Sequence, residues 1–403
     1  MKIAGVRLTP PCFLLVIISS LEWLVANAQK DYSKQRDLID LAMMVIGKDP
    51  DARGSNMNAT SRKLHLSGSP ILEYTTATGF TTGVAVAGAF LTGAASSTNV
   101  SSWVSAVKYT ERKQFLAPVE TSFWTTGNSW NFAGDWRYLH FPQDSYGIGG
   151  HTNPDDRYTI TYKYFRFYEY ALRNIGHHWY AGSGFQLDRH WNIAESNVPS
   201  GAVTDFQRYQ PGSASTSSGL AVDLLFDNRQ NSINPAGGAW YGNLVFLQNA
   251  KMIGSDGNWN SLMIDIRKYF AAGKRNVLGF WFYSVLGLGG RAPYLDLPGT
   301  GTDTYNNTAR GYEEDRYIGK RYIDLEAEYR FGITRNGLLG AVLFCNAGSV
   351  SDFGTNRFEV ILPGAGIGLR IKFNKFSDTN ACADYGWGIK GSSGFFGNLG
   401  EVF

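Results

Sequence analysis

Cysteine is nearly missing from this 403-residue chain, which has three. Small exported domains that lack a large core lean on disulfides, so a disulfide scaffold is excluded. Cys345 and Cys382 fall on expected strands separated by a third. That puts them about 10 Å apart and on opposite faces, too far for a bridge. A strong charge imbalance is missing too: the net charge of +3 points to no particular partner. No apolar run beyond residue 28 approaches the ~20 residues of a membrane-spanning helix. Neither His-Glu-x-x-His nor Cys-x-x-Cys occurs. The six histidines lie between His65 and His190, and His177, His178 and His190 with Glu195 read as rim or lumen residues. The sequence therefore points to no catalytic residue, metal or cofactor, and to no enzyme.

What is present is glycine, at 47 residues, and aromatics, at 14%. The chain opens with Lys2 and Arg7, the apolar run from Cys12 to Val25, and Ala26-Asn27-Ala28. This reads as a secretory signal peptide over 1–28. Residues 29–63 are polar, with one short helix expected where Leu38, Leu41, Ala42, Val45 and Ile46 recur at three- and four-residue spacing. From residue 64 to 403 the pattern changes to segments of about ten residues separated by turn chemistry. The strands expected are 64–74, 79–91, 102–111, 115–126, 130–141, 157–172, 177–190, 218–228, 238–249, 259–270, 275–288, 320–331, 336–347, 362–373, 379–390 and 393–403. Pro70 fits only an edge or seam strand.

The strand from Arg321 to Phe331 decides the setting. Tyr322, Asp324, Glu326, Glu328 and Arg330 share one face; Ile323, Leu325, Ala327, Tyr329 and Phe331 share the other. The same alternation recurs around Asp223, Asp265, Arg370 and Asp384. A soluble barrel would bury all this charge at high cost, whereas a membrane barrel turns it into a wet lumen. The expected fold is all-β: a transmembrane antiparallel barrel of about 16 strands, with 14 or 12 as alternatives. Alternate connections are short, as around Asn336 and in Asn374–Asp378, while 142–156, 191–217, 289–319 and 348–361 are long. Short turns on one side and long loops on the other fit an outer-membrane barrel with both ends in the periplasm. Arg157 with Tyr158, Tyr162 and Tyr164 reads as an aromatic girdle at the membrane interface.

Three local patterns coincide. Asp227-Asn-Arg229 is followed by Asn234-Pro235; Arg310-Gly311-Tyr312 lies in the longest loop, ahead of Glu328-Tyr-Arg-Phe331; and Phe344-Cys-Asn-Ala-Gly348 follows. In this order they resemble the BamA/TamA-like outer-membrane assembly superfamily, also called the bacterial surface antigen family. The resemblance covers Gly219–Phe403 well and Pro70–Arg189 more loosely. It implies that the long loop folds back into the lumen with Arg310 at its tip. Glu326, Glu328 and Asn346 are the candidate partners of that tip. Family members have Asp where this chain has Asn346, which would exchange an ion pair for a hydrogen bond. The Asp227–Pro235 motif reads as a periplasmic turn with no other duty. The family's periplasmic polypeptide-transport-associated domains do not fit within 29–63, and the Gly-x-Ser-x-Gly elbow of its patatin branch is missing. The implied function is insertion, translocation or scaffolding of outer-membrane components through a weakly paired seam between first and last strands. A passive solute pore and a structural subunit of a larger complex are the alternatives. The expected partners are outer-membrane lipids and other outer-membrane or periplasmic proteins, with no nucleic acid.

Overall fold

The computed structural model describes residues 34–50, 64–75, 78–94, 97–209, 212–273, 275–304 and 306–403. The expected signal peptide, residues 29–33 and residues 51–63 lie outside them. One sheet holds sixteen strands in simple chain order, each antiparallel to the next. They are β1 (His65–Thr75), β2 (Gly79–Phe90), β3 (Ser101–Thr110), β4 (Phe115–Trp124), β5 (Trp130–Ser145), β6 (Tyr158–Gly176), β7 (Trp179–Ser196) and β8 (Ala214–Asp227), then β9 (Trp240–Asn249), β10 (Trp259–Ala271), β11 (Val277–Gly290), β12 (Arg321–Gly332), β13 (Leu339–Val350), β14 (Leu362–Asn374), β15 (Thr379–Trp387) and β16 (Ser393–Leu399). All sixteen expected strands are present. Their alternation has the expected sense: on β12 Leu325 is 54% exposed while Glu326 and Glu328 are 0%. On β8 Leu220 and Val222 face out and Asp223 faces in. The exterior is thus apolar and the interior polar, the arrangement that lipid requires.

The faces expected for the aromatic-rich strand are reversed. Tyr158, Tyr162 and Tyr164 are buried, on the lumen side of β6. Tyr164 stacks on His190 with ring centroids 4.3 Å apart, and Arg166 donates to its hydroxyl at 2.7 Å. They line the lumen and form no interfacial girdle.

Three segments fill the interior. The β11–β12 loop, 291–320, enters from the long-loop end and bonds to the β5–β6 loop, where the amide of Gly149 donates to the Ile318 carbonyl at 2.8 Å. Arg316 donates to Thr152 at 2.9 Å. An apolar cluster beneath it joins Phe141, Tyr158, Ile160, Phe206, Tyr294 and Ile318. Phe206 comes from α2 (Asp205–Tyr209) in the β7–β8 loop. From the short-turn end, the 228–239 connection crosses the barrel. Asn231 and Asn234 donate to the carbonyls of Ser377 and Asp378 in the β14–β15 turn, at 2.9 and 3.0 Å. This corrects the reading of a turn with no other duty. The third segment is the last four residues. β16 stops at Leu399 where a strand to Phe403 was expected. Gly400, at φ +97°, turns the chain inward, and Phe403 packs against Trp281 at 5.3 Å.

The expected helix is α1 (Leu38–Val45), capped by Asp37. It docks by its acidic side. Lys375 of the β14–β15 turn donates from its amide to Asp37 and from Nζ to Asp40, both at 2.8 Å. Leu41, Met44, Val45 and Ile46 remain exposed. Cys345 is exposed and Cys382 buried, and both are free thiols.

Candidate functional site

The tip of the long loop lies against β12, β13, β14 and β15. Strand alternation turns Glu326 and Glu328 of β12 inward, and the next long-range neighbour is Asp384 of β15. Arg310 joins all three. Its Nη2 is 2.7 Å from Glu328 and 3.2 Å from Glu326, and its Nη1 is 2.7 Å from Asp384. The guanidinium also lies over the Phe344 ring, 3.9 Å from its centroid. A planar fork with five donors suits three acceptors in different directions. Arg310 is 0% exposed, so these contacts replace water rather than compete with it.

Asn346 touches the tip by a different route from the one expected. Its Nδ2 donates to the backbone carbonyl of Arg310 at 2.8 Å, not to or from the guanidinium. The Ala309 amide donates to Glu326 at 2.8 Å. Gly311 has φ +116°, and a Cβ there would meet the Trp387 carbonyl oxygen at 2.8 Å. Only glycine takes that backbone and that approach without strain. Tyr312 donates to the Pro363 carbonyl at 2.5 Å and accepts from the Ile389 amide at 3.1 Å. The tripeptide is thus bound through main chain, charge and ring.

Around this contact lies a wider network. Arg370 bonds Asp384 and holds Glu401 at 2.7 Å. Arg330 holds Glu328 at 2.5 Å and donates to the Phe403 carbonyl. Three arginines thus meet Glu326, Glu328, Asp384 and Glu401, and the chain end belongs to the network. Alternation placed Asp384 and Arg370 inward, but nothing in the sequence identified them as partners of Arg310. Glu401 was hidden because the last segment read as strand.

The second motif forms its own local contact. Asp227 accepts from Arg229 Nε at 2.9 Å and Nη2 at 2.8 Å, and the Arg229 guanidinium covers Tyr241 at 4.2 Å. Asn234 reaches the β14–β15 turn as described, and Pro235 follows it within the crossing segment. His177 and His178 sit in the β6–β7 turn and His190 lies far up β7, so the fold does not gather them. It gathers others: His151, Asp352 and Glu359, from two loops, offer ligand atoms within 4.8 Å of one another. His151 and Glu359 are exposed.

β1 and β16 are the two ends of the sheet, and no ladder joins them among the described residues. Tyr74 and Phe395 meet across the gap with ring centroids 6.4 Å apart.

Fold and site together define a transmembrane β-barrel with an unzipped seam and a plugging loop pinned by a buried arginine. No protein-family model matches the sequence, and no curated protein matches it. Solved structures do. BamA from Haemophilus ducreyi lacking POTRA domains 1–3 is similar with TM-score 0.54 and 12% identity, over 84% of this chain and 70% of that one. CdiB from Acinetobacter baumannii gives 0.53 and 12%, over 85% and 60%; CdiB from Escherichia coli gives 0.53 and 10%, over 82% and 62%. The chain therefore spans about three fifths of the length of those CdiB structures. The resemblance to BamA-like barrels holds at the level of fold.

Proposed function

We propose that this chain is an outer-membrane barrel that assists the insertion, translocation or scaffolding of other outer-membrane components by opening its seam. The observation that carries the reading is the missing ladder between β1 and β16, next to a lumen that is filled. An unpaired strand edge is a template for a strand from another chain, and Pro70 removes one donor from the β1 edge. With the long loops outside, the short-turn end and α1 face the periplasm. The filled lumen weighs against a passive pore, since segments from both ends occupy it. A structural-subunit role is favoured by one observation, the ordered cap of the β5–β6, β7–β8 and β11–β12 loops. No enzymatic role is proposed.

The test joins the seam with Tyr74→Cys and Phe395→Cys in a chain lacking Cys345 and Cys382. The expected result is that oxidation slows assembly of other barrels in the same membrane and that reductant restores it. Unchanged assembly with a fully oxidised seam would rule out lateral opening.

A further inference from the structure

Glu169 is the one carboxylate on the lipid face of the strands at mid-depth among the described residues, and neither the seam nor the loop lock uses it. Its neighbours on that face of β6 are Phe165, Phe167, Ala171 and Arg173. Lys163 and Arg173 mark the two rims, and Arg173 lies over Trp130 as an interfacial cation does. Glu169 is four residues from Arg173, about 13 Å along the strand and about 10 Å in depth after strand tilt. A side chain with two methylenes cannot reach headgroups from there.

The surroundings are shaped around this carboxylate. It lies flat over Gly134 of β5, where a Cβ would meet Glu169 Oε1 at 2.8 Å and Thr121 Oγ1 at 2.7 Å. Trp136 Nε1 donates to Oε1 at 2.9 Å. Trp136 stacks on Phe167 at 5.9 Å, and Phe167 meets Phe185 at 6.4 Å. An apolar frame thus encloses a small polar nook of acid, hydroxyl and indole. A charge held in hydrocarbon is costly and marks a functional contact. Among the described residues one neutral donor meets it, and no cation does.

We propose that the outer face of β4–β7 around Glu169 docks a second membrane protein that presents a lysine or arginine at mid-depth of its own lipid face. The depth selects the class of occupant: a headgroup stays at the rim, so only a spanning segment brings a cation to this level. The charge selects against a second copy of this chain. Its outward cations lie away from the level of Glu169: Arg173 is four residues from it, Arg189 is four ladder positions from its partner Phe185, Lys163 is six residues away, and Lys268 and Arg321 sit near strand ends. The face is about five strands from the seam, so partner binding there leaves β1 and β16 free.

The experiment uses the full barrel in phosphatidylcholine vesicles, with Cys345→Ala and an acceptor dye on Ser183→Cys. Two donor-labelled helical peptides of about twenty Leu and Ala residues serve as probes, identical except for a central Lys or Leu. The Lys peptide is expected to bind about tenfold or more tighter, worth about 1.4 kcal/mol, at Ser183 and not at a dye on Leu325→Cys of β12. The preference is expected to vanish in Glu169→Leu and in the isosteric Glu169→Gln. Equal binding of the two peptides, equal transfer to the Leu325→Cys site, or a preference that survives both variants would overturn the proposal. Binding of a second barrel in place of the peptide would overturn it as well. A failed seam cross-link test leaves this result standing, because no step here depends on seam opening.

Discussion

Arg310→Ala removes a fully buried cation from three carboxylates at once. Glu326, Glu328 and Asp384 stay in place on the strand walls, because their backbones belong to the ladder. Breaking a buried ion pair by removing one partner costs about 3–5 kcal/mol. Losing the guanidinium over Phe344 adds about 1–2 kcal/mol. Water entering the vacated space, and Arg370 leaning further onto Asp384, offset part of this. The net expectation is about 3 kcal/mol, concentrated in the attachment of the loop. Arg310→Lys keeps the charge but replaces a fork by a point, so it reaches one or two of the three acceptors and recovers about half. The assay is hydrogen exchange of the 299–319 backbone in vesicles, read against the β6–β7 ladder as an internal standard. Alanine is expected to accelerate exchange in the loop about a hundredfold at 3 kcal/mol, with lysine intermediate and the ladder unchanged. Loop protection equal to wild type in Arg310→Ala would refute the view that this residue pins the loop.

Two further outcomes follow from the same geometry. Asn346→Asp installs the residue that the resemblance implies at this position, yet here it should destabilise the loop by about 1–3 kcal/mol, because it replaces a donor to the Arg310 carbonyl with an acceptor; faster cleavage in 299–319 under limited proteolysis checks it, and a slower rate would show that a rearranged ion pair forms instead. Loop attachment should also weaken as pH rises. Burial lifts Asp315 to about 6, and burial with the neighbouring Asp315 lifts Glu314 to about 8. Acids whose folded pKa is raised bind more protons docked than free. Their destabilising effect is therefore absent in acid, below the ordinary carboxylate range, and grows until pH passes about 8. Loop exchange measured from about pH 5 to about pH 9, corrected for intrinsic rates, is expected to speed up beyond that correction, with the excess removed in Glu314→Gln.

The period-two pattern made the walls legible. Charged residues such as Asp324 and Arg370 alternate with Ile323 and Leu369, and a one-residue slip would have put charge into lipid. Where both faces are aromatic the signal fails. β6 carries Tyr162 and Tyr164 inward and Phe165 and Phe167 outward, and hydrophobicity alone does not separate them. The partners of Arg310 were legible only where they share its neighbouring strand. Asp384 lies 74 residues away, and its contact depends on how far the loop descends. The crossing of 228–239 was illegible for a related reason. Asn-Pro and Gly-Gly announce a turn, but nothing local states that it reaches the opposite wall.

That crossing has a mechanical consequence. A closed sheet flattens easily into an oval unless something spans its diameter. Here a diagonal strut ties the β8–β9 end to the β14–β15 turn, and the arginine lock ties the upper loop to β12 and β15. Every tie described above falls on β5 or later. Under the proposed lateral opening, the jamb on the β16 side is the stiff one and β1 to β4 are the leaf expected to swing.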